Sequence, residues 1–300
     1  MPVVGVLGLA SPAENAPYTA WFIRGVNEAG FAEGRNVIIE YRWANGNYDR
    51  LRELAFDLVR AHPALIFASG GTPALRAAMA ATSSIPIIFS LGDDPVKLGV
   101  VSSMNHPGGN LTGAFFTSAP LGAKRLEILR ELIPKARMVA VLVNPNSEAA
   151  NAERQQLETV ANAMGVQILA LNASKLPDIE EAFTIFVQRR ADALLIPPDA
   201  YFSAQRVHIV GLASRYAIPA VYFEREFVAA GGLMSYGVPL RDSCHQAGIY
   251  AGRILDGAKA ADLPVVQATR FELVISSKAA NALGIPIPDK LLAVTDEVIE

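Results

Sequence analysis

The sequence predicts an α/β protein made of two doubly wound parallel-sheet lobes joined by a hinge. Three observations predict it. Short apolar runs alternate with longer amphipathic stretches almost throughout, the pattern of βαβ units. Ten such strand-like runs occur, too many for one simple half. Finally, Ser84-Ile85-Pro86-Ile87-Ile88-Phe89 is echoed by Ala217-Ile218-Pro219-Ala220-Val221-Tyr222, each following a strand, a turn and a helix.

The strands are predicted at residues 3–9, 37–43, 65–69, 86–91, 111–116, 138–143, 166–171, 193–197, 219–223 and 232–236. Helices fit between them at 17–29, 48–61, 73–82, 120–133, 147–164, 177–190, 202–215 and 239–256. Pro134 closes the fourth helix, and Gly165 closes the fifth at a position where glycine accepts the left-handed backbone. The lobes are expected to join near Phe116 to Ala119 and to cross again near Ser235 to Gly237. Residues 1–118 with 237–266 form the first lobe in this reading, and 119–236 with 267–300 the second. Open α/β sheets bind ligands outside the carboxyl ends of their strands, so the ligand is expected in the cleft between the lobes.

At 300 residues the chain is long enough for two medium domains, each with its own core. A hydrophobic content of 51%, 18% charged residues and a net charge of -3 describe a globular protein, and argue against disorder and nucleic-acid binding. No basic block changes that. The longest apolar runs fall far short of the roughly 20 residues of a membrane span. The numbering begins almost directly in a strand, Val3-Val4-Gly5-Val6-Leu7, with no export signal ahead of it. The single Cys244 forms no intrachain disulfide and reads as a buried small apolar residue.

Several chemistries are tested by their spacing and set aside. Ser69-Gly70-Gly71-Thr72-Pro73 carries no lysine for a nucleotide phosphate loop, and Gly5-Val6-Leu7-Gly8-Leu9-Ala10-Ser11 lacks the dinucleotide-binding spacing. Gly232-Leu233-Met234-Ser235-Tyr236-Gly237 misses the nucleophile elbow by one residue. The four histidines are scattered without metal-ligand spacing, and one cysteine cannot fill both acid-base roles of a two-cysteine racemase. No cofactor, metal or catalytic residue is assigned, and the protein is not expected to be an enzyme. A pairing of Asp93 with Asp94 as catalytic acids is weak, since adjacent residues need not face one substrate.

What remains are polar and aromatic groups at the carboxyl ends of predicted strands. Phe67-Ala68-Ser69-Gly70-Gly71-Thr72-Pro73 reads as a strand end with Thr72 as N-cap and Pro73 as first helical residue, leaving free N–H groups in a turn suited to an anion or carboxylate. The first-lobe candidates are Ser11, Trp43, Gly70, Gly71, Thr72 and Asp94, with Asp93 beside it. Those of the second lobe are Asn144, Asp199, Tyr201, Tyr222, Glu224 and Tyr236. Hydrogen-bonding groups among aromatics suit a small polar ligand with an organic side chain. Asn144 and Asp199 also read equally well as turn and capping residues.

An ordered set of motifs then resembles one family across essentially the whole chain. Gly70-Gly71-Thr72-Pro73, Ile85-Pro86-Ile87, Gly92-Asp93-Asp94-Pro95-Val96-Lys97-Leu98-Gly99 and Pro107-Gly108-Gly109-Asn110-Leu111-Thr112-Gly113 are similar to the ABC-transporter substrate-binding family that includes tryptophan- and other aromatic amino-acid-binding proteins. The likeness continues through Lys124-Arg125-Leu126-Glu127, Val143-Asn144-Pro145-Asn146, Arg225-Glu226-Phe227-Val228 and Gly231-Gly232-Leu233-Met234-Ser235-Tyr236-Gly237.

The resemblance implies a periplasmic binding protein type I fold that closes on its ligand by hinge motion and delivers it to a membrane permease. It also implies a monomer in the periplasm or elsewhere outside the cytoplasm, exported by a signal absent from this numbering. Thr72 and nearby N–H groups are expected to take the ligand carboxylate. Amino-acid-binding relatives carry an acidic residue shortly after the Tyr-Gly pair, whereas this chain has Val238-Pro239. Asp94, Asp199 or Glu224 would then pair with an ammonium, or the ligand is a carboxylic or aromatic acid without an amine. The alternative reading is a ligand-sensing regulator, because the cores of LacI-type repressors share this architecture.

Overall fold

A computed structural model of the chain describes residues 1–116 and 121–300. The chain divides into two compact units, Met1–Thr117 with Leu240–Thr269 and Ser118–Pro239 with Arg270–Glu300. The predicted connection at 116–119 lies, beyond Phe116, outside the described residues.

The first unit holds β1 (Val3–Gly8), α1 (Pro12–Glu28), β2 (Ile38–Trp43), α2 (Tyr48–Arg60), β3 (Leu65–Ser69), α3 (Gly71–Ala81), β4 (Ile87–Leu91) and β5 (Leu111–Phe116). The second holds α4 (Leu121–Leu132), β6 (Met138–Val143), α5 (Glu148–Ala163), β7 (Gln167–Asn172), α6 (Leu176–Gln188), β8 (Ala193–Leu195), α7 (Ala200–Ala204), α8 (Arg206–Arg215), β9 (Ala220–Tyr222), α9 (Arg225–Ala229) and β10 (Met234–Gly237). Then α10 (Leu240–Leu255) and β11 (Val266–Ala268) return to the first unit. β12 (Glu272–Ser276), α11 (Ser277–Ala282), α12 (Asp289–Leu292) and β13 (Glu297–Ile299) complete the second.

The first sheet runs β11-β5-β4-β3-β1-β2 and the second β13-β12-β10-β9-β8-β6-β7. All pairs are parallel except β10 with β12. A parallel sheet is covered by helices on both faces, so its strands must be apolar on both sides. Leu65-Ile66-Phe67-Ala68 and Val139-Ala140-Val141-Leu142-Val143 meet that demand and are buried throughout. The sequence echo has a topological counterpart. β2-β1-β3-β4-β5 and β7-β6-β8-β9-β10 are the same winding order, reversing direction between β1 and β3 and again between β6 and β8.

Each unit has its own core. In the first, Phe22 of α1 stacks on Phe67 of β3 at 4.5 Å between ring centroids, among Val4, Val6, Val26, Ile88 and Ala247. In the second, Leu126 and Leu129 of α4 meet Val139, Val141, Leu195, Val221 and Ile275. Helices α1 and α10 approach closely because each offers glycine at the crossing. A Cβ on Gly25 would overlap the carbonyl oxygen of His245, and one on Gly248 that of Phe22.

Several predicted elements shift, each for a local reason. Helix α1 starts at Pro12 rather than at 17, because Ser11 and Glu14 form a capping box. Pro17 then sits inside the helix at the cost of one backbone hydrogen bond. The predicted helix 202–215 is two: Asp199 caps the short α7, and a new helix restarts after Gln205. The pattern missed α9, α11, α12 and the strands β11, β12 and β13. Helices α9, α11 and α12 are too short for a periodicity to register, and β11 and β13 are exposed or mixed where the equally short β8 and β9 are buried apolar runs. β12 breaks the βαβ alternation by pairing antiparallel.

Gly248→Ala is expected to force α1 and α10 apart and to cost about 1–3 kcal/mol. Thermal melting should then fall by several degrees, and an unchanged melting temperature would contradict the close helix contact.

Candidate functional site

Because β1–β5 run parallel in the first sheet and β6–β10 in the second, their carboxyl ends and the helix N-termini that follow share one edge of each sheet. Where the winding reverses, two neighbouring connections leave in opposite directions and open a crevice. In the first unit the reversal lies between the ends of β1 and β3, so it is bordered by Gly8 to Ser11 and by Ser69 to Thr72. In the second it lies between the ends of β6 and β8, bordered by Asn144 and by the residues leading to Asp199.

At the first-unit edge the glycines serve close approach and backbone direction. A Cβ on Gly70 would lie 2.8 Å from the backbone nitrogen of Leu9, pinning the two connections together. Gly71 has φ +68°, in the left-handed region that favours glycine. Helix α3 accordingly begins at Gly71 with Gly70 in the cap position, and no side chain caps it. Thr72 is therefore not the N-cap. Its hydroxyl instead donates to Asp93 Oδ2 at 2.5 Å, tying the turn after β3 to the turn after β4. In this arrangement the single hydroxyl proton of Thr72 is engaged with Asp93, which leaves the N–H groups of the turn as the donors nearest the start of α3.

Asp94, the predicted candidate, orders its own turn, since its Oδ1 accepts from the backbone N–H groups of Val96 at 2.9 Å and Lys97 at 3.2 Å. Ser11 is likewise engaged. Its Oγ donates to Glu14 Oε2 at 2.6 Å and accepts from the Glu14 N–H at 3.3 Å. Trp43 ends β2 opposite Gly8, whose missing side chain lets the indole lie over the backbone. The ring stacks on Tyr41 at 5.6 Å and is half-buried.

At the second-unit edge Asn144 and Asp199 meet across the reversal. Asn144 is buried, donates from Nδ2 to Asp199 Oδ2 at 3.0 Å, and accepts at Oδ1 from the Asn146 N–H at 3.0 Å. Asp199 Oδ1 accepts from the N–H groups of Tyr201 and Phe202 at 2.9 and 3.0 Å, so its capping role and its place in the crevice coincide. Tyr201 is buried, and desolvation, followed by the charges of Asp178 and Asp199, pushes its hydroxyl up to about 12. Tyr222 belongs to the core: it is fully buried and stacks on Phe227 at 4.6 Å, and a Cβ on Gly232 would press on its ring at 2.6 Å. Burial raises its hydroxyl well above the ordinary value. Glu224 is buried just before α9. Tyr236 near the end of β10 is half-buried, its ring 6.3 Å from Phe271.

Two residues that position this edge lie outside the predicted set: Arg125 of α4 and Glu153 of α5, an ion pair of 2.8 Å whose side chains are 1% and 4% exposed. Arg125 also donates from Nε to the backbone carbonyl of Tyr236 at 2.8 Å. Desolvation pushes Glu153 up to about 7, with the Arg125 charge and hydrogen bond opposing it, and burial lowers Arg125 from its ordinary value. A signal for the pair was present: Leu121, Arg125 and Leu129 fall on one helix face at i, i+4 spacing, and a charge on an apolar stripe needs a buried partner.

Among the described residues no cluster of three or more histidine, cysteine, aspartate or glutamate side chains is arranged for a metal ion. No helix among them is long and apolar enough to cross a membrane.

Comparison with known proteins adds a relationship to this geometry. Residues 10–299 match the family model described as ABC transporter substrate binding protein. A tyrosine-binding protein of Clostridioides difficile strain R20291 is 28% identical over 263 residues, covering 87% of this chain and 75% of that protein. A crystal structure of a conserved domain protein from Vibrio cholerae superposes with a TM-score of 0.87 at 25% identity, covering 99% of each chain. An ABC domain in complex with L-Trp from Streptococcus pneumonia also gives 0.87, at 23% identity and 99% coverage of each. The fold is that of the periplasmic binding proteins of type I.

Glu153 sets a pH dependence. Its folded pKa is raised from 4.5 to about 7, so its contribution to stability is complete below pH 4.5 and is lost as pH rises through 7. Urea unfolding of wild type and Glu153→Gln across that range should show the difference in stability moving in favour of the variant as pH rises. A constant difference would contradict the raised value.

Proposed function

The chain belongs to the ABC transporter substrate-binding protein family, and we propose that it is the extracytoplasmic receptor of an importer, taking a free aromatic amino acid to a permease. The observation that carries the ligand class is the Thr72–Asp93 pair beside the start of α3. A free amino acid bears an ammonium and a carboxylate on one carbon, so its site needs an acceptor next to donors. Asp93 supplies the acceptor. The N–H groups in the first turn of α3 supply the donors, in a position where a helix favours negative charge. This arrangement replaces the acidic residue that Val238-Pro239 lacks.

Two relatives support the side-chain class: the Clostridioides protein is named for tyrosine, and the Streptococcus domain was solved with L-Trp. Trp43 and Tyr236 are the half-buried aromatics at the strand-end edges that suit such a side chain. Asn144 and Asp199 form the corresponding hydrogen-bonded pair at the edge of the second unit. Only differential affinity for a closed state shifts a receptor toward it. No step of this function requires catalysis or a cofactor, and one copy of the chain suffices.

Titration calorimetry on ligand-stripped protein tests the reading with L-tyrosine, L-tryptophan and indole-3-propionate, which lacks the amine. At least one amino acid should bind, and indole-3-propionate should bind at least about tenfold more weakly, the loss expected for a charge-assisted hydrogen bond. Asp93→Asn retains an acceptor for Thr72, so it should weaken amino-acid binding by a similar factor while leaving the ligand-free melting temperature nearly unchanged. Equal binding of the amine-free acid would remove Asp93 from the site. Failure of both amino acids to bind would overturn the ligand class.

A further inference from the structure

The chain passes between units at three places in the sequence, at residues 117–118, 239–240 and 269–270. On the second unit's side, the segments adjoining all three meet at one residue. Arg125 lies in α4, the first described element after the first passage, and its Nε donates to the Tyr236 carbonyl. Tyr236 itself stands three residues before Pro239, the last residue ahead of the second passage. Phe271, the second residue after the third passage, lies against the Tyr236 ring at 6.3 Å and 35°.

We propose that Arg125 is a positioning residue that makes Tyr236 the common anchor for the three passages. The register supports this. The ladder between β9 and β10 ends at Tyr222 opposite Ser235, and the next carbonyl along β10, that of Tyr236, is the one Arg125 takes. One residue further, a Cβ on Gly237 would overlap the carbonyl oxygen of Phe223, so β10 is held against the end of β9 beyond the last ladder pair. Arg125 is held in turn from the other side by Glu153, and a Cβ on Gly122 would lie 2.5 Å from Glu153 Oε1, which fixes the approach of α4 to α5.

A buried ion pair is weak evidence of stabilisation, because desolvation offsets the attraction. Its use here is placement. The guanidinium reaches a carboxylate and a backbone carbonyl in fixed directions, which a lysine ammonium on a flexible stem does not reproduce. The anchor stands independently of the receptor reading, and its effect on ligand affinity rests on that reading. A loose anchor leaves the ligand-free protein more conformations to give up on binding, so affinity falls.

Hydrogen exchange by mass spectrometry on the ligand-free protein tests the anchor in the double variant R125M/E153L, an apolar replacement of the kind that often preserves stability. Exchange should accelerate roughly tenfold or more, the loss of one charge-assisted hydrogen bond, in peptides covering 121–126, 234–239 and 270–274, with the 138–143 strand unchanged. Unaltered exchange at 234–239, or a uniform rise across the second unit, would overturn the proposal. If the double variant loses its native near-ultraviolet circular dichroism, R125K carries the same readout, with acceleration at 234–239 expected. Calorimetry of the same variants with L-tyrosine and L-tryptophan should show roughly tenfold weaker binding of whichever the wild type binds. Undiminished affinity would refute the anchor's role in binding. A wild type that binds neither would refute the aromatic amino-acid reading and leave the exchange result to decide the anchor.

Discussion

Parallel strands point one way, and that directional constraint organises this protein. Each sheet is apolar on both faces and takes helices on both, so neither face is left for a ligand. The carboxyl ends of β1–β5 in one unit and of β6–β10 in the other, with the helix N-termini that follow, are delivered to one edge of each sheet. The winding order then singles out a point on that edge, between β1 and β3 in one unit and between β6 and β8 in the other. Both points carry hydrogen-bonding side chains that bridge separate connections: Thr72 to Asp93 in the first unit, and Asn144 to Asp199 in the second. A polar bridge at the end of an apolar strand displaces little of the core and gives the edge a fixed geometry.

The same constraint explains why so many residues near these edges are engaged locally. Ser11 caps α1, Asp94 orders the turn that follows it, and Asp199 caps α7 while it holds Asn144. A group already hydrogen-bonded is held in one rotamer, and binding then costs less side-chain entropy. Arg125 and Glu153 extend this logic inward, using two buried charges to take the Tyr236 carbonyl beyond the last β9–β10 pair, while β12 pairs with β10 on its other side.

Legibility from sequence followed the length and regularity of each signal. Long apolar runs such as Met138 to Val143 and amphipathic stretches such as α2 and α5 announced themselves, and with them the α/β class and the repeat. The three-residue strands β11 and β13 lack the buried apolar run that marked the equally short β8 and β9. Chemistry at strand ends was legible as a set of positions but not as a set of roles. Thr72 reads as a cap because Ser, Thr, Asp and Asn cap helices, yet the positive φ of Gly71 moves the helix start and frees Thr72 for Asp93. Tyr222 shares the strand-end pattern but faces Phe227 and Gly232, since sequence position does not say which face a terminal residue presents. Arg125 stood on an apolar stripe where its burial was readable, though its partner and the carbonyl it takes are brought in from elements 28 and 111 residues away.

A receptor for an aromatic amino acid must be stabilised by one, and a thermal-shift comparison of ligand-stripped protein reads that out. L-tyrosine, L-tryptophan, aliphatic amino acids and neutral sugars would be added at matched concentrations. A cognate ligand at 100 times its dissociation constant adds about 2.7 kcal/mol to the folded state, which moves the melting point by several degrees. That rise is expected with tyrosine or tryptophan, and none with sugars. A rise with a sugar and none with either aromatic amino acid would show that the ligand is of another class.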